Sequence, residues 1–413
     1  MNQDLYPRFA RHPVAAALGD TPVVVIHGAR QVGKSTLAGL VAEQCDATVL
    51  TLDDDATRRF AQEDPVAFVD RAPDRLMVID EAQRVPELIV PLKANVDRNR
   101  RPGRFLLTGS ADLLQVKGVA DSLAGRAETV EMAPLSQAEL ARAGTPEDFV
   151  TWLTAGAGTG PFDAPDPAVI VRGGFPEAHR RTGRRARAWL TAYLDRLAGH
   201  DARELHRGGY GDDLVSLMRL VASQGQSELV KAKFARDLGI AESTADVYLR
   251  LARTMRLTVE FPAWNRAPRG RIVRRPKICL ADTGLGAALA RFTAPMATNP
   301  GGREYLGALT EQFVALELAK QRAWTETPFD LYHFRDRDGH EVDLLIETWE
   351  GDLIAVEVKS TRTITPKLWA GLADFRDRFT DRRITGVLLH AGIESAFLHG
   401  WLHVLPITAL WQH

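Results

Sequence analysis

Gly28-Ala29-Arg30-Gln31-Val32-Gly33-Lys34-Ser35-Thr36 is a loop bounded by glycines, and it lies between two segments of different character. Residues 23–26 before it are all Val or Ile, which favours a buried strand, and residues 37–44 after it have a helical composition. Strand, glycine-bounded loop and helix form the context that a phosphate-binding loop requires. Gly28 and Gly33 permit backbone angles that a side chain would forbid, so the loop amides can converge on phosphate oxygens. The segment predicts a nucleotide site within an α/β fold.

Two side chains of this loop have the chemistry to complete such a site. We expect Lys34 to reach the β- and γ-phosphates and the Ser35 hydroxyl to hold Mg²⁺. The N-terminus of the following helix adds partial positive charge where the phosphate would lie. ATP and Mg²⁺ are therefore the predicted cofactors, with all of residues 28–36 at the nucleotide. The alternative is a glycine-rich turn that matches by chance.

A second apolar run, residues 76–79, ends in Asp80 and Glu81. After a phosphate loop, this pattern predicts the rest of a nucleotide hydrolase site. Asp80 would join the Mg²⁺ shell through water, and Glu81 would polarise the attacking water as general base. The alternative is a strand that ends in a solvated acidic pair. A further strand over residues 104–108 is expected between the first and third strands, so Thr108 or Ser110 would face the γ-phosphate, and the sequence does not choose between them.

Arg126 precedes a fifth predicted strand near residues 128–132. It is a candidate arginine finger that stabilises the charge of the transferred phosphoryl group, in its own chain or in a neighbouring subunit. The alternative is a surface arginine, or one paired with a local acid. Because a finger that acts in trans needs a second copy, we expect a homo-oligomer, and a ring is one form it can take.

The composition sets limits on the class of protein. With 413 residues the chain is long enough for two or three domains. Its formal net charge is −1, so any surface for nucleic acid has to be local. Cys45 and Cys279 form neither a disulfide framework nor a metal-binding spacing. Without a membrane-length apolar run or a signal-peptide core in residues 1–11, we expect a cytoplasmic protein that makes no membrane contact.

The middle of the chain is expected to hold two regions. Residues 143–212 are rich in Gly, Ala and Pro and then in Arg, which predicts a linker followed by a helical lid. Residues 213–285 show a helix, a second helix that stops at Gly239, a third helix and two short strands, the outline of a winged helix. Basic residues cluster on and between those strands: Arg266, Arg269, Arg271, Arg274, Arg275 and Lys277. We expect this wing to contact DNA phosphates, the alternative being a winged helix used for packing or as an ATPase lid.

Residues 300–413 carry acids and a lysine in the layout of a PD-(D/E)xK nuclease. These residues lie on a largely apolar helix and on two following strands: Glu311 and Glu317 over residues 309–321, then Asp343, then Glu357 and Lys359. Asp343 and Glu357 are expected to bind one or two Mg²⁺ or Mn²⁺ ions, with Lys359 orienting or deprotonating the attacking water. The alternative is a degenerate nuclease fold that binds DNA or protein without cutting.

Alternation along the strand at residues 341–347 predicts the direction of its side chains. Val342, Leu344 and Ile346 are expected to share one face, which leaves Asp343 on the other. Helix geometry does not choose between Glu311 and Glu317 as the acid that joins Asp343.

Several stretches together resemble one family: GARQVGKST, LMVIDEAQRVPEL, FLLTGSADLL, SLAGR and APLSQAEL. They are similar to bacterial and archaeal AAA-type ATPases fused to a C-terminal module of unknown function. The resemblance implies an ATPase core over residues 1–142, with an ASCE-type parallel sheet in the order 5-1-4-3-2. Ala29 departs from the family, which more often has proline there. The C-terminal module resembles Holliday-junction resolvases and restriction endonucleases, and that resemblance favours Glu311 as the third metal-binding acid.

These observations lead to one function and one alternative. The chain is expected to be a Mg²⁺-dependent ATPase coupled to DNA binding or processing, with a metal-dependent nuclease-like module and possible endonuclease activity. The alternative is an ATP-driven regulatory switch or remodelling ATPase whose C-terminal module binds a partner or DNA without cleaving it.

Overall fold

The computed structural model describes residues 5–109, 123–144, 147–156, 158–201, 211–267 and 275–413. The chain divides into two compact units. The first comprises Met1–Leu135 with Thr254–Arg256, and the second comprises Ser136–Arg253 with Leu257–His413. Among the described residues, every helix is too short or too polar to cross a membrane.

The first unit is built on a five-stranded parallel sheet in the order β2-β3-β4-β1-β5. The strands are β1 (Val23–His27), β2 (Ala47–Thr51), β3 (Leu76–Asp80), β4 (Phe105–Gly109) and β5 (Ala127–Glu131). The helices are α1 (Arg11–Asp20), α2 (Lys34–Ala42), α3 (Asp55–Glu63), α4 (Pro65–Val69) and α5 (Ile89–Arg98). Read from the other edge, this is the predicted order 5-1-4-3-2, which is confirmed.

Burial follows position in this sheet. The central strands β1, β3 and β4 are buried along almost their whole length, whereas β2 and β5 at the edges are largely half-buried or exposed. Continuous apolar runs are what parallel strands covered on both faces require. Because the strands are parallel, the residues that follow β1, β3 and β4 lie close together at the carboxyl ends of the strands, where ligands bind in such folds.

The second unit contains two sheets and most of the helices. A three-stranded sheet has the order β6-β8-β7, and a six-stranded mixed sheet has the order β13-β14-β12-β11-β10-β9. The strands are β6 (Ser227–Glu228), β7 (Thr258–Phe261), β8 (Lys277–Leu280), β9 (Phe329–Arg335), β10 (Glu341–Thr348), β11 (Leu353–Lys359), β12 (Ile384–His390), β13 (Ala396–Leu398) and β14 (Leu402–Pro406). The helices are α6 (Gln137–Leu140), α7 (Phe149–Thr154), α8 (Pro167–Arg172), α9 (Pro176–His179), α10 (Gly183–Arg196), α11 (Gly211–Gln224), α12 (Lys231–Leu238), α13 (Glu242–Thr254), α14 (Thr283–Leu289), α15 (Pro300–Gln321), α16 (Ala370–Arg378) and α17 (Ala409–Gln412).

The predicted helix, glycine turn and helix are present as α12, Gly239 and α13. Gly239 has a φ of 68°, the left-handed conformation that commonly ends a helix. The first of the two helices starts later than expected, because Ser227 and Glu228 pair with β8 instead of joining it. Part of the predicted wing, namely Arg269, Arg271 and Arg274, lies outside the described residues.

A bulge in β10 changes the predicted direction of its side chains. The pairing of β10 with β9 shifts register between Val342 and Leu345. Leu344 and Ile346 pack into the core cluster that includes α15, whereas Val342 and Leu345 pack into a different cluster. The prediction that Val342 shares a face with Leu344 and Ile346 is therefore wrong, because an inserted residue breaks strict alternation.

Candidate nucleotide site and carboxylate cluster

The phosphate loop connects β1 to α2, and its two glycines are needed for different reasons. Gly33 has a φ of 101° and is the N-cap of α2, a conformation rarely adopted by residues with a Cβ atom. A Cβ atom on Gly28 would lie 2.1 Å from the carbonyl oxygen of Met132. Gln31 also has a positive φ, 61°. Such turns are the elements from which anion-binding nests of backbone amides are built.

Lys34 is the buried cation of this loop. Its Nζ donates to the carbonyl oxygens of Gly28, at 3.0 Å, and Ala29, at 2.8 Å. Burial lowers the pKa of Lys34 to about 8, although the charge of Glu81 acts in the opposite direction. Phosphate oxygens are stronger acceptors for an ammonium group than neutral carbonyls are. The lysine is thus held at the loop, where a phosphate can take over its hydrogen bonds.

Asp80, at the end of β3, gathers hydroxyl groups from three other elements. Ser35 Oγ donates to Asp80 Oδ1 at 2.7 Å, and Thr51 Oγ1 donates to Oδ2 at 3.3 Å. The Thr108 hydroxyl donates to Oδ1 as well. Carboxylate and hydroxyl oxygens are ligands that suit Mg²⁺, so this set fits the ion expected with ATP. Sequence reasoning missed Thr51, although its place at the end of the strand beside β3 was a usable signal.

Glu81 is held in an unusual backbone conformation next to Asp80. Its φ is 57°, in the left-handed region that non-glycine residues seldom occupy and that often marks functional positions. Its N–H donates to Thr108 Oγ1 at 3.1 Å, and the Gln83 side-chain amide donates to its carboxylate. Thr108 therefore contacts both acids at the end of β3. Ser110, the other candidate, lies outside the described residues.

Arg126 lies at the end of the sheet opposite the phosphate loop, where the strands begin. Ala127 at the start of β5 pairs with Val23 at the start of β1, whereas the phosphate loop follows the end of β1. At about 3.3 Å per residue, the strand separates them by roughly 13 Å. Arg126 Nε donates to Asp97 Oδ1 at 2.6 Å and Nη2 donates to Oδ2 at 3.0 Å. Within one chain Arg126 is therefore paired with a local acid and lies away from the phosphate loop, and its role as an arginine finger stays a prediction.

Replacing the proposed general base should separate ATP binding from ATP hydrolysis. Glu81→Gln keeps the shape of the side chain but removes its ability to accept a proton. We expect kcat to fall by roughly 100- to 10,000-fold while the Kd for ATP stays within about threefold. Steady-state hydrolysis and calorimetric ATP titration measure the two quantities. The exposed Glu87→Gln is the matched control, and rapid turnover by Glu81→Gln would remove Glu81 from this role.

ATP affinity should depend on pH through Lys34. The pKa of Lys34 is lowered to about 8 by burial, and the charged form binds phosphate, so affinity should fall as pH rises above that value. The fall should reach at most roughly tenfold per pH unit, because one proton is linked to binding. Titrations between pH 7 and 9.5 test this. Lys34→Met should bind weakly at every pH, and a flat profile for the unaltered protein would contradict the assignment.

The C-terminal acids come together where β10, β11 and α15 meet. Asp343 is 8% exposed, and its Oδ2 accepts the Val358 N–H at 2.9 Å. Lys359 Nζ lies 2.5 Å from Glu357 Oε1. Burial, followed by the charge of Asp343, raises the pKa of both Glu311 and Glu357 to about 7. The structure therefore brings together all four residues predicted for the nuclease-like site.

Glu317 has a different environment. Its Oε1 lies 2.6 Å from Lys320 Nζ, and its Oε2 accepts the backbone N–H of Gln137 at 2.8 Å. With its charge paired and both oxygens bonded, Glu317 stabilises the packing of α15 against α6. Of the two acids considered on this helix, Glu311 is the one that joins Asp343.

Lys277 is a member of the cluster that sequence reasoning placed elsewhere. It was expected in the basic wing, but it is 5% exposed and its Nζ lies 2.8 Å from Glu341 Oε1. The charge of Lys277 also opposes the rise in the pKa of Glu311 and of Asp343, which burial causes. β8 therefore directs this lysine toward the acids and away from a solvent-exposed wing.

The spacing of possible metal ligands limits how an ion can be held. Among the described residues, the trio whose ligand atoms all lie within 4.8 Å of one another is Asp336, Asp338 and His340. That trio closes the turn between β9 and β10, and the Asp336 carboxylate already pairs with Arg378. The ligand atoms of Glu311, Asp343 and Glu357 are more widely spaced than this. At least one of these three acids must therefore rotate, or bind an ion through water. Buried carboxylates around one point nevertheless fit a hard divalent cation.

The sheet order and the nucleotide site define a P-loop ATPase of the AAA class. In agreement, residues 20–141 match the family described as AAA domain. Residues 167–296 and 306–410 match two families described as domains of unknown function, DUF8612 and DUF4143.

The relatives identify the family to which the chain belongs. It is 31% identical over 355 residues to the uncharacterized protein Rv2008c of Mycobacterium tuberculosis (strain ATCC 25618 / H37Rv), covering 85% of this chain and 73% of that protein. The uncharacterized protein Mb2031c of Mycobacterium bovis (strain ATCC BAA-935 / AF2122/97) gives the same values. The chain belongs to the family of these two proteins. Among solved structures, it is similar to the Walker-type ATPase PABY2304 of Pyrococcus abyssi, with 16% identity, a TM-score of 0.45, and coverage of 70% of this chain and 97% of that one.

Proposed function

We propose that ATP hydrolysis in the AAA domain is coupled to DNA processing by a metal-dependent nuclease site in the C-terminal module. The observation that carries the proposal is the convergence of Glu311, Glu357 and Lys359, all half-buried, around the buried Asp343. Acids that raise one another's pKa beside a lysine are costly to bury, and such groups concentrate at functional sites. A bound Mg²⁺ or Mn²⁺ ion would supply Lewis-acid polarisation of the phosphate and a more acidic water.

The chain's own residues would have distinct tasks in this reaction. Asp343, fixed by the Val358 N–H, provides a rigid ligand, while Glu311 and Glu357 complete the acidic wall. Burial alone would lower the pKa of Lys359, but Asp343 and the hydrogen bond with Glu357 raise it. Lys359 is therefore a persistent ammonium group. It can orient water by donating hydrogen bonds and stabilise charge that develops on the phosphate, whereas it is poorly suited to accept a proton.

The region before the C-terminal module supports DNA contact as part of the same proposal. The order α11, β6, α12, α13, β7 and β8 follows the succession of elements in a winged helix. Arg275 is exposed beside β8, and Arg266 forms an ion pair with Asp381 at 2.8 Å. We infer that this segment binds DNA phosphates and that part of its charge is shared with the C-terminal module.

A role for Arg126 in hydrolysis requires a second copy of the chain. Its bidentate pair with Asp97 would have to open before it could meet phosphates on a neighbour. The proposed assembly is therefore a homo-oligomer, in which the finger acts in trans.

One observation favours an alternative in which the module binds DNA or a partner without cutting. Lys359 is paired with Glu357, and the three acids are too widely spaced to bind one ion directly without movement. In that alternative, ATP hydrolysis times assembly or remodelling.

One experiment separates the nuclease proposal from the alternative of binding without cutting. The full chain is incubated with branched, single-stranded and duplex DNA in Mg²⁺, Mn²⁺ or EDTA. The proposal expects cleavage of at least one substrate with metal and none with EDTA. Binding without cleavage in every condition would support the alternative. Neither binding nor cleavage would overturn both DNA-based functions.

A further inference from the structure

Lys277 belongs in sequence to the segment before the C-terminal module, yet its strand is bound to that module. Just before β8, the carbonyl oxygen of Arg275 lies 3.1 Å from His333 Nε2 on β9. At its end, the Leu280 carbonyl oxygen accepts from Gln312 Nε2 on α15 at 2.8 Å. The second of these hydrogen bonds is buried and the first is partly buried. Lys277 therefore enters the cluster from a strand that is anchored on either side of it.

The ion pair with Glu341 sets the position of both side chains. Lys277 Nζ and Glu341 Oε1 are 2.8 Å apart, and Lys277 is 5% exposed. Glu341 lies two residues before Asp343, at the open end of β10, and is the nearest further acid in that strand. Arg335 lies 4.0 Å from Glu341 and 3.8 Å from Glu228. The positive charge of Arg335 and the negative charge of Glu228 therefore largely offset each other at the rim of the cluster. Lys277 is therefore the buried partner of Glu341.

The charges of the cluster balance in an unusual way. It contains four carboxylates and two ammonium groups, which leave a formal charge of −2: Glu311, Glu341, Asp343 and Glu357 with Lys277 and Lys359. One divalent cation would neutralise the site. A second would leave an uncompensated charge of +2 in a buried region, where unpaired charge is strongly unfavourable.

We propose that Lys277 occupies the place of a second metal ion, holding Glu341 out of the ligand set so that the cluster binds one divalent cation. Lys277 acts in this way as a positioning residue, through Glu341. The inference rests on the proposed metal-dependent function and adds to it a stoichiometry and a residue from outside the C-terminal module. It also means that the C-terminal module alone lacks one charged group of its site.

Substitution of the lysine should change the number of ions bound. Lys277→Met brings the cluster to −3 and releases Glu341 as a ligand, so we expect a second ion. Lys277→Arg keeps the charge and should bind one ion. The double variant Lys277→Met/Glu341→Gln restores −2 and removes the released ligand, so it should also bind one ion.

The measurement is calorimetric titration of the nucleotide-free full chain with Mn²⁺. Sites elsewhere are subtracted with the variant Asp343→Asn/Glu357→Gln, and circular dichroism with thermal unfolding shows that each variant is folded. We expect one cluster ion in the unaltered chain and two in Lys277→Met. Two ions in the unaltered chain, or one in folded Lys277→Met, would overturn the inference and leave the metal-dependent function in place. No cluster ion in the unaltered chain would overturn both. If Lys277→Met does not fold, Lys277→Gln takes its place, because it also brings the cluster to −3: two cluster ions are expected in folded Lys277→Gln, and one would overturn the inference.

Discussion

Lys34→Ala should abolish measurable ATP hydrolysis, with a fall of at least roughly 100- to 1,000-fold, the size expected for loss of one charge-stabilising donor. Lys34 is the buried cation of the phosphate loop, and both of its observed hydrogen bonds go to loop carbonyls that a phosphate can replace. Alanine removes the charge and leaves the loop backbone without a partner for Gly28 and Ala29. ATP affinity should weaken as well, because the lysine contacts phosphate in the ground state and in the transition state.

Phosphate release by purified protein, followed over a range of ATP concentrations, measures this effect. Lys93→Ala, on α5 of the same unit, is the control and should hydrolyse ATP like the unaltered chain. Lys34→Ala leaves the carbonyls of Gly28 and Ala29 without their donor, so circular dichroism is used to check that the variant is folded. Hydrolysis by Lys34→Ala at the rate of the unaltered protein would mean that the loop is not the ATP site.

Asp343→Asn should abolish metal-dependent DNA cleavage while preserving the fold. The asparagine oxygen can still accept the Val358 N–H that Asp343 accepts at 2.9 Å, so β10 and β11 keep their connection. The lost charge removes the best-positioned metal ligand, and we expect cleavage to fall by roughly 100-fold or more. Burial is the main cause of the raised pKa of Glu311 and Glu357, and the charge of Asp343 is the second. Both acids should therefore titrate at lower pH in the variant.

Cleavage assays and carboxyl-selective NMR titration give the two readouts for this variant. Asp338→Asn is the control, because Asp338 is an exposed acid in the turn between β9 and β10. The control should cut DNA as well as the unaltered chain does. Cleavage that persists in Asp343→Asn would point to a contaminating nuclease or to a different site.

Most of the nucleotide site could be predicted from the sequence, because its functional residues stand at the ends of apolar runs. The phosphate loop and Asp80 each follow a strand whose burial is evident from composition, and parallel pairing brings them to one edge. Thr51 and Gln83 were missed, since their contacts depend on register and on a local turn. Arg126 could have been placed better: a residue that precedes a parallel strand lies at the edge away from the phosphate loop.

The C-terminal site shows where the sequence is insufficient. The residues Asp343, Glu357 and Lys359 could be chosen from their spacing, but the bulge in β10 has no clear local signature. Lys277 is the larger omission: arginines precede it closely, and the apolar run that follows it, Ile278 to Ala281, indicates a buried strand but not which way the lysine side chain points. Its role depends on the pairing of β8 and on contacts with α15, which join residues far apart in the chain.

The measurement that tests the central claim most directly follows ATP hydrolysis and DNA cleavage together in the unaltered chain, Lys34→Ala and Asp343→Asn. It uses branched, single-stranded and duplex DNA with ATP and Mg²⁺ or Mn²⁺. The account predicts that the unaltered chain performs both reactions, that Asp343→Asn hydrolyses ATP but does not cut, and that Lys34→Ala does not hydrolyse ATP. Absence of cleavage by the unaltered chain on every substrate, or equal cleavage by Asp343→Asn, would contradict it.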